Sequence, residues 1–199
     1  MPVKPSQSFL LPYHYALNNI RTAKLKAGQT ALVYGATGAI GSAAVQIMKH
    51  LGVEVVAVCS TPHLALVKSL GADTVIDYLQ EDFTKISKKF DFVFDAVGKT
   101  TFGACKPLLK EKGIYVSTEL GKYGQNIWYA LITPIFRGKK VIFPMPVMNQ
   151  EQIEYLRNLV TIGAFLPVID RYYPLDEIAE AHRYVDTGQK LGNVLIKVV

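Results

Sequence analysis

The chain has 199 residues, 50% of them hydrophobic and 19% charged, which excludes a disordered chain and suffices for one sizeable domain with a further segment. Lys and Arg number 22 against 16 Asp and Glu, a net charge of +6, yet the cations are scattered and no run of them reads as a nucleic-acid arm. Cys59 and Cys105 lack a CxxC spacing, which argues against a disulfide framework or a structural zinc and fits a reducing, cytoplasmic compartment.

The first ten residues, MPVKPSQSFL, carry no long apolar run after a basic start, so no secretory signal is expected. Ala27–Met48 has no charged residue and is long enough to cross a bilayer. Its Gly28, Gly35, Gly38 and Gly41, with Gln29, Thr30, Thr37, Ser42 and Gln46, do not suit a lipid-facing helix. The stretch reads as strand, turn and helix, and no membrane contact is expected. Thr30–Tyr34 is the first strand, and Ala44, Val45, Ile47, Met48 and Leu51 give Ser42–Leu51 helical spacing, closed by Gly52. Val53–Cys59 is the second strand, Pro62–Leu70 a helix ended by Gly71, and Thr74–Tyr78 the third strand. Phe90–Ala96 and Gly113–Ser117 continue the series around a helix over Phe102–Leu109, and Lys139–Phe143, punctuated by Pro144 and Pro146, is a sixth strand. The runs are continuously apolar, as in a parallel sheet covered on both faces, so the fold class is α/β, doubly wound. Gln150–Ile162 reads as a helix, Leu166–Tyr172 as extended, Leu175–Val185 as a helix and Val194–Val199 as a last strand. Thr161–Leu166 is the weakest boundary candidate, and the expected division is residues 1–164, a nucleotide-binding domain with an N-terminal lead-in, and 165–199.

Where the first strand turns into a helix stands Gly35-Ala36-Thr37-Gly38-Ala39-Ile40-Gly41-Ser42. Small residues there let the backbone approach a pyrophosphate, and the N–H groups and positive end of the following helix stabilise its charge. The usual GxGxxG would place Gly at 36, where Ala36 stands, so it is the strand-turn-helix-strand context that gives the pattern weight; the alternative is a plain βα turn. Gly38 is the position where a Cβ would fill pyrophosphate space, and a left-handed backbone is expected there. An NAD-selective fold places an acidic residue about 20 residues beyond this loop. This chain has Cys59-Ser60-Thr61-Pro62-His63 instead, whose hydroxyls and imidazole suit a 2′-phosphate, so NADP is favoured; Ser60 or Thr61 could also simply cap the next helix.

The segments LVYGATGAIGSAAVQIMKHLG, LGADTVIDY, FDFVFDAVG, GIYVS and GNVLIKVV resemble, in order and spacing, the cofactor-binding part of medium-chain dehydrogenase/reductases, in their zinc-free, quinone-oxidoreductase-like branch. The resemblance runs from about Leu11 to Val199. It implies that Gly35, Thr37, Gly38, Ala39, Ile40 and Gly41 hold the pyrophosphate and that Ser60, Thr61 and His63 meet the 2′-phosphate of NADP(H). It also implies that Tyr78 borders the adenosine end, that Asp95, Ala96, Val97 and Gly98 lie beside adenine and ribose, and that Gly192 and Asn193 make a C-terminal contact. The implied activity is hydride transfer from NADPH to a small carbonyl, enone or quinone. In such proteins a β-rich substrate domain of well over a hundred residues precedes the loop, so this chain is expected to be the cofactor-binding part, with 165–199 belonging to the substrate domain.

No metal site is expected, because His14, His50, His63 and His182 are scattered. None of the 11 tyrosines has Lys four residues on, which removes a short-chain dehydrogenase dyad. No residue takes a catalytic role from sequence, and a non-catalytic NADP(H)-binding or sensor module is the alternative. Tyr123, Trp128 and Tyr129 stand where the resemblance implies the nicotinamide end, and an uncharged aromatic stretch equally suits core packing or a subunit contact. The expected assembly is a homodimer through the sheet edge at 139–143, with Val141 and Phe143 on one face and Ile142 on the other.

Overall fold

The computed structural model describes residues 10–136, 138–144 and 149–198; the N-terminal MPVKPSQSF segment, Pro146 and Val199, read above from sequence, lie outside them. Six parallel strands, β1 (Thr30–Tyr34), β2 (Glu54–Cys59), β3 (Thr74–Asp77), β4 (Phe90–Asp95), β5 (Leu109–Ser117) and β6 (Lys140–Ile142), form one sheet in the order β3-β2-β1-β4-β5-β6. The order reverses between β1 and β4, and a crevice opens at the carboxyl ends of strands at such a reversal. The apolar runs are explained by alternation. Ala31, Val33, Val55, Ala57, Phe92 and Phe94 enter one core, while Leu32, Val56, Val58, Val93, Tyr115 and Val141 enter the other.

The first core lies under α1 (Leu10–Ala23), α2 (Ala39–His50) and α6 (Gln150–Thr161), and the second is capped by the short α4 (Phe102–Cys105). Between β2 and β3, a 3-10 turn over Thr61–His63 leads into α3 (Leu64–Ser69), so the helix expected from Pro62 begins two residues later, at Leu64. α5 (Gln125–Ile132), which follows β5, was not legible as a helix, and neither was α1. In α1 the buried Tyr13, Ala16, Leu17 and Ile20 recur at helical spacing against α2. The chain closes with β7 (Ile169–Pro174), α7 (Ile178–Asp186) and β8 (Asn193–Lys197); β7 and β8 pair in parallel as a separate sheet. β5 starts four residues earlier than expected, with a register shift opposite Phe90–Phe92, where Lys112 adopts a φ of 63°.

Asp91 staples three strands at their N-terminal ends. Its Oδ2 accepts from the Thr30 N–H at 2.8 Å, the Thr30 hydroxyl at 3.1 Å and Lys110 Nζ at 2.7 Å. Burial pushes the carboxyl up, but these donors and the Lys110 charge outweigh it and hold the group below its ordinary value. A depressed carboxylate contributes stability above its unfolded value and loses it as pH falls through the folded one. Asp91→Asn is therefore expected to cost about 1 kcal/mol at pH 7, with the difference from wild type vanishing in acid; denaturant melts at pH 7 and below pH ~3 check both halves.

Candidate cofactor-binding cleft

At the carboxyl end of the sheet a cleft of about 600 Å³ is bordered by Tyr34, Gly35, Thr37, Gly38, Ala39 and Ile40, then by Cys59, Ser60 and Tyr78, and by Ala96, Val97, Lys99 and Glu119. Pro12 of α1 and Val185, Gly188 and Lys190 of the C-terminal segment complete it. The strand-end turns are stitched together by backbone bonds: the N–H groups of Gly35 and Ala36 to Val58 O, of Ala96 to Tyr34 O, and of Tyr78 to Cys59 O.

Each glycine of the first turn does something different. Gly35 has a φ of 81°, and a Cβ there would sit 1.8 Å from Val97 Cγ2, so this glycine permits both the turn and the close approach of the β4 loop. A Cβ on Gly41 would lie 2.1 Å from the backbone oxygen of Gly35, which makes Gly41 the contact that lets α2 start directly above the strand. Gly38 departs from expectation. Its φ is −70°, an ordinary conformation, and a Cβ there would meet only Gly35 O at 3.6 Å. Its openness is toward the cleft and not a matter of backbone strain.

Gly38 is the N-cap of α2, with no side chain capping it, and Ser42 N–H makes the first intrahelical bond, to Gly38 O at 2.9 Å. The N–H groups of Ala39, Ile40 and Gly41 therefore precede the ladder, at the positive end of a 12-residue helix. A diphosphate fits this cradle: room without a Cβ, unpaired donors and a favourable dipole.

At the far side, Ser60 borders the cleft and makes no capping bond to the following turn, so the capping alternative is not realised. Thr61 is engaged elsewhere, donating its hydroxyl to Asp77 Oδ2, while Asp77 Oδ1 accepts from the Leu79 N–H at 3.0 Å. Neither Thr61 nor His63 borders the cleft, nor do Gly41, Asp95, Gly98 and Asn193. Asp95 is wholly buried behind it. Its Oδ1 accepts from the N–H groups of Val97 at 3.1 Å and Gly98 at 2.8 Å, and its Oδ2 from Thr100 N–H at 3.2 Å and Tyr115 OH at 3.3 Å. Burial raises its carboxyl above the ordinary value against these donors. Its geometry is that of a loop organiser: it turns Ala96 and Val97 to the cleft without touching it. Asn193 likewise works inside the fold, donating from Nδ2 to Val168 O at 3.0 Å.

Tyr78 stands half-exposed on the cleft wall, edge-on to Tyr34, whose ring stacks on Phe83 at 4.8 Å. Burial, with Asp77 nearby, pushes the Cys59 thiol up to about 11, and burial does the same for Cys105, so neither is a ready nucleophile near neutral pH. Sequence reasoning missed Lys99, Glu119 and Lys190. Lys99 and Glu119 follow β4 and β5 and are gathered by the sheet topology, whereas Lys190 lies in the C-terminal segment and is brought in by the bridge between Gly38 and Gly192. Tyr123, Trp128 and Tyr129 are not on this cleft; they project from α5 and the turn before it.

The family profile described as zinc-binding dehydrogenase matches residues 70–196. The chain belongs to that family. It is 34% identical over 185 residues to 2-methylene-furan-3-one reductase of Solanum lycopersicum, covering 91% of this chain and 43% of the relative. It is 32% identical over 181 residues to the NADPH-dependent alkenal/one oxidoreductase, chloroplastic, of Arabidopsis thaliana, covering 89% and 42%. Among solved structures, the quinone oxidoreductase from Coxiella burnetii superposes with a TM-score of 0.84 at 30% identity, over 94% of this chain and 58% of that one. The medium-chain reductase resemblance and the α/β fold read from sequence both hold. The chain spans less than half the length of these two curated relatives. Despite the family's description, the described residues contain no group of three His, Cys, Asp or Glu able to hold a metal ion, so they do not fit a zinc site. No helix among them is long and apolar enough to cross a membrane.

The two glycines separate folding from binding. Gly41→Ala forces its Cβ onto backbone and is expected to cost about 2 kcal/mol, roughly 6 °C in Tm, whereas Gly38→Val is expected to melt within a degree or so of wild type; differential scanning calorimetry checks both.

Proposed function

We propose that this chain is the cofactor-binding part of an NADPH-dependent oxidoreductase that reduces a small carbonyl, enone or quinone. The observation that carries the reading is the open, uncapped N-terminus of α2 at Gly38, facing a cleft at the reversal of strand order. The names of the tomato, Arabidopsis and Coxiella relatives support the reaction class. A nicotinamide dinucleotide supplies the hydride chemistry when bound. The protein's part is to hold it: Gly38 leaves room for the diphosphate, the N–H groups of Ala39 and Ile40 donate to it, and Tyr78, Ala96 and Val97 wall the adenosine side. Selectivity for NADP rests on Ser60, whose hydroxyl is uncommitted to capping, and on the lack of an acidic residue at the end of β2. With Thr61 turned to Asp77, Ser60 carries this alone among the residues proposed to meet the 2′-phosphate that border the cleft.

Calorimetric titration is expected to show NADPH binding about tenfold more tightly than NADH, and equal affinities or an NADH preference overturn the selectivity. Ser60→Asp should weaken NADPH by about tenfold and spare NADH, since it sets a negative charge against the 2′-phosphate. Gly38→Val should weaken both cofactors. Oxidation of NADPH with a panel of quinones and enones separates a reductase from a module that binds without turnover.

A second copy of the chain is the proposed partner, joined at β6. Among the described residues that strand is the sheet edge and pairs only with β5; Val141 is turned into one core, while Ile142 is partly buried against the other. Beside it Trp128, Leu131, Ile135 and Phe136 are exposed at 63–75%, and an exposed apolar face of this kind suits an interface. Pro144, lacking an N–H, limits the pairing. Sedimentation is expected to give a dimer for wild type and a monomer for Ile142→Lys; a wild-type monomer, or a dimer indifferent to the charge, removes β6 as the interface.

A further inference from the structure

Lys190 shares the cleft wall with Thr37, Gly38, Ala39 and Ile40. Its Nζ donates to Gly192 O at 2.8 Å, and an ammonium has three donors, so two are left for another acceptor. Among the described residues the ion pairs of this region are Arg171–Asp170 and Arg183–Glu180, and Lys190 is in neither. Asp170, the acid that acts on it electrostatically, is already taken: its Oδ2 accepts from Tyr184 OH at 2.6 Å and Leu191 N–H at 3.2 Å. The other ionisable groups on the cleft are the exposed Lys99 and Glu119, with Tyr34, Cys59 and Tyr78. Burial pulls the Lys190 amine below its ordinary value, against the opposing pull of Asp170.

Its loop is fastened on the glycine turn. Gly192 N–H donates to Thr37 O at 2.7 Å, and Gly192 bridges to Gly38. A Cβ at Gly192 would lie 2.3 Å from Val168 O, so glycine is needed where the other side of this loop packs on Val168. Backbone contacts to Thr37 and Gly38 thus hold the Lys190 loop beside the N-terminus of α2.

We propose that Lys190 binds the diphosphate of the dinucleotide, with the N-terminus of α2 as the other half of the anion site. The inference rests on the dinucleotide reading of the cleft. A diphosphate pairs directly with the ammonium, which is in no ion pair of this region, and accepts its two remaining donors. Because the diphosphate is common to both cofactors, Lys190 contributes affinity and not NADP selectivity.

The test is titration of wild type, Lys190→Met and Lys190→Arg with NADPH, NADH and ADP-ribose. Lys190→Met, which keeps the aliphatic stem, should lose about tenfold or more in affinity for all three ligands, with an unchanged Tm, and Lys190→Arg should recover most of it. Undiminished binding by Lys190→Met overturns the proposal. So does a loss confined to NADPH, which assigns Lys190 to the 2′-phosphate, or a loss that spares ADP-ribose, which assigns it to the nicotinamide end. A wild type that binds none of the three overturns the reading of the cleft itself and this assignment with it.

Discussion

The close contact between Gly41 and the carbonyl of Gly35 is the constraint from which the cleft follows. With no Cβ at position 41, α2 rises directly from the end of β1, and its N-terminus opens where the sheet order reverses. Any larger residue at 41 would collide with the backbone of Gly35 and Ala36. The Gly35 conformation makes a second demand, since it admits Val97 from the β4 loop. The two strand-end turns thus meet over the missing Cβ of Gly35, stitched by backbone bonds and, in the β4 loop, by the Asp95 carboxylate.

Polar groups near the cleft divide into those that build it and those that face it. Asp95, Thr61 and Asn193 are of the first sort, each with its hydrogen-bonding capacity turned to the protein. A buried carboxylate with four donors is costly to form and rigid once formed, and Asp95 spends that rigidity on the backbone of residues 97–100. Ser60 and Lys190 are of the second sort, with donors left over. Residue type alone does not separate the two groups, because the same hydroxyl can cap a helix, bond a neighbouring strand or remain free.

This division marks how far the sequence could be read. β1 is legible to the residue, because Thr30–Tyr34 is a clean apolar run between a polar start and a glycine turn. The ends of β2, β3 and β4 come within a residue for the same reason. α1 escaped although Tyr13, Ala16, Leu17 and Ile20 carry its spacing, since Pro12 and the polar Asn18-Asn19 pair obscure the pattern. In the site, the local motif around Gly35–Ile40 was readable because chemistry and spacing coincide there. Lys190 was not, as its place depends on a contact between Gly38 and Gly192 that no local pattern announces. The supposed left-handed turn at Gly38 failed for an instructive reason: of the glycines at 35, 38 and 41, the strain sits at Gly35.

The unequal roles of these glycines also shape how such a chain can change over evolutionary time. Gly35, Gly41 and Gly192 are demanded by neighbouring atoms of the protein itself, whatever occupies the cleft. Gly38 has ordinary backbone geometry and room for a side chain. A descendant that gave up its ligand would keep the first three under selection for folding while position 38 drifted freely. The residue found at that single position in a diverged copy would therefore record whether binding had been retained, even where the fold and the rest of the turn were unchanged.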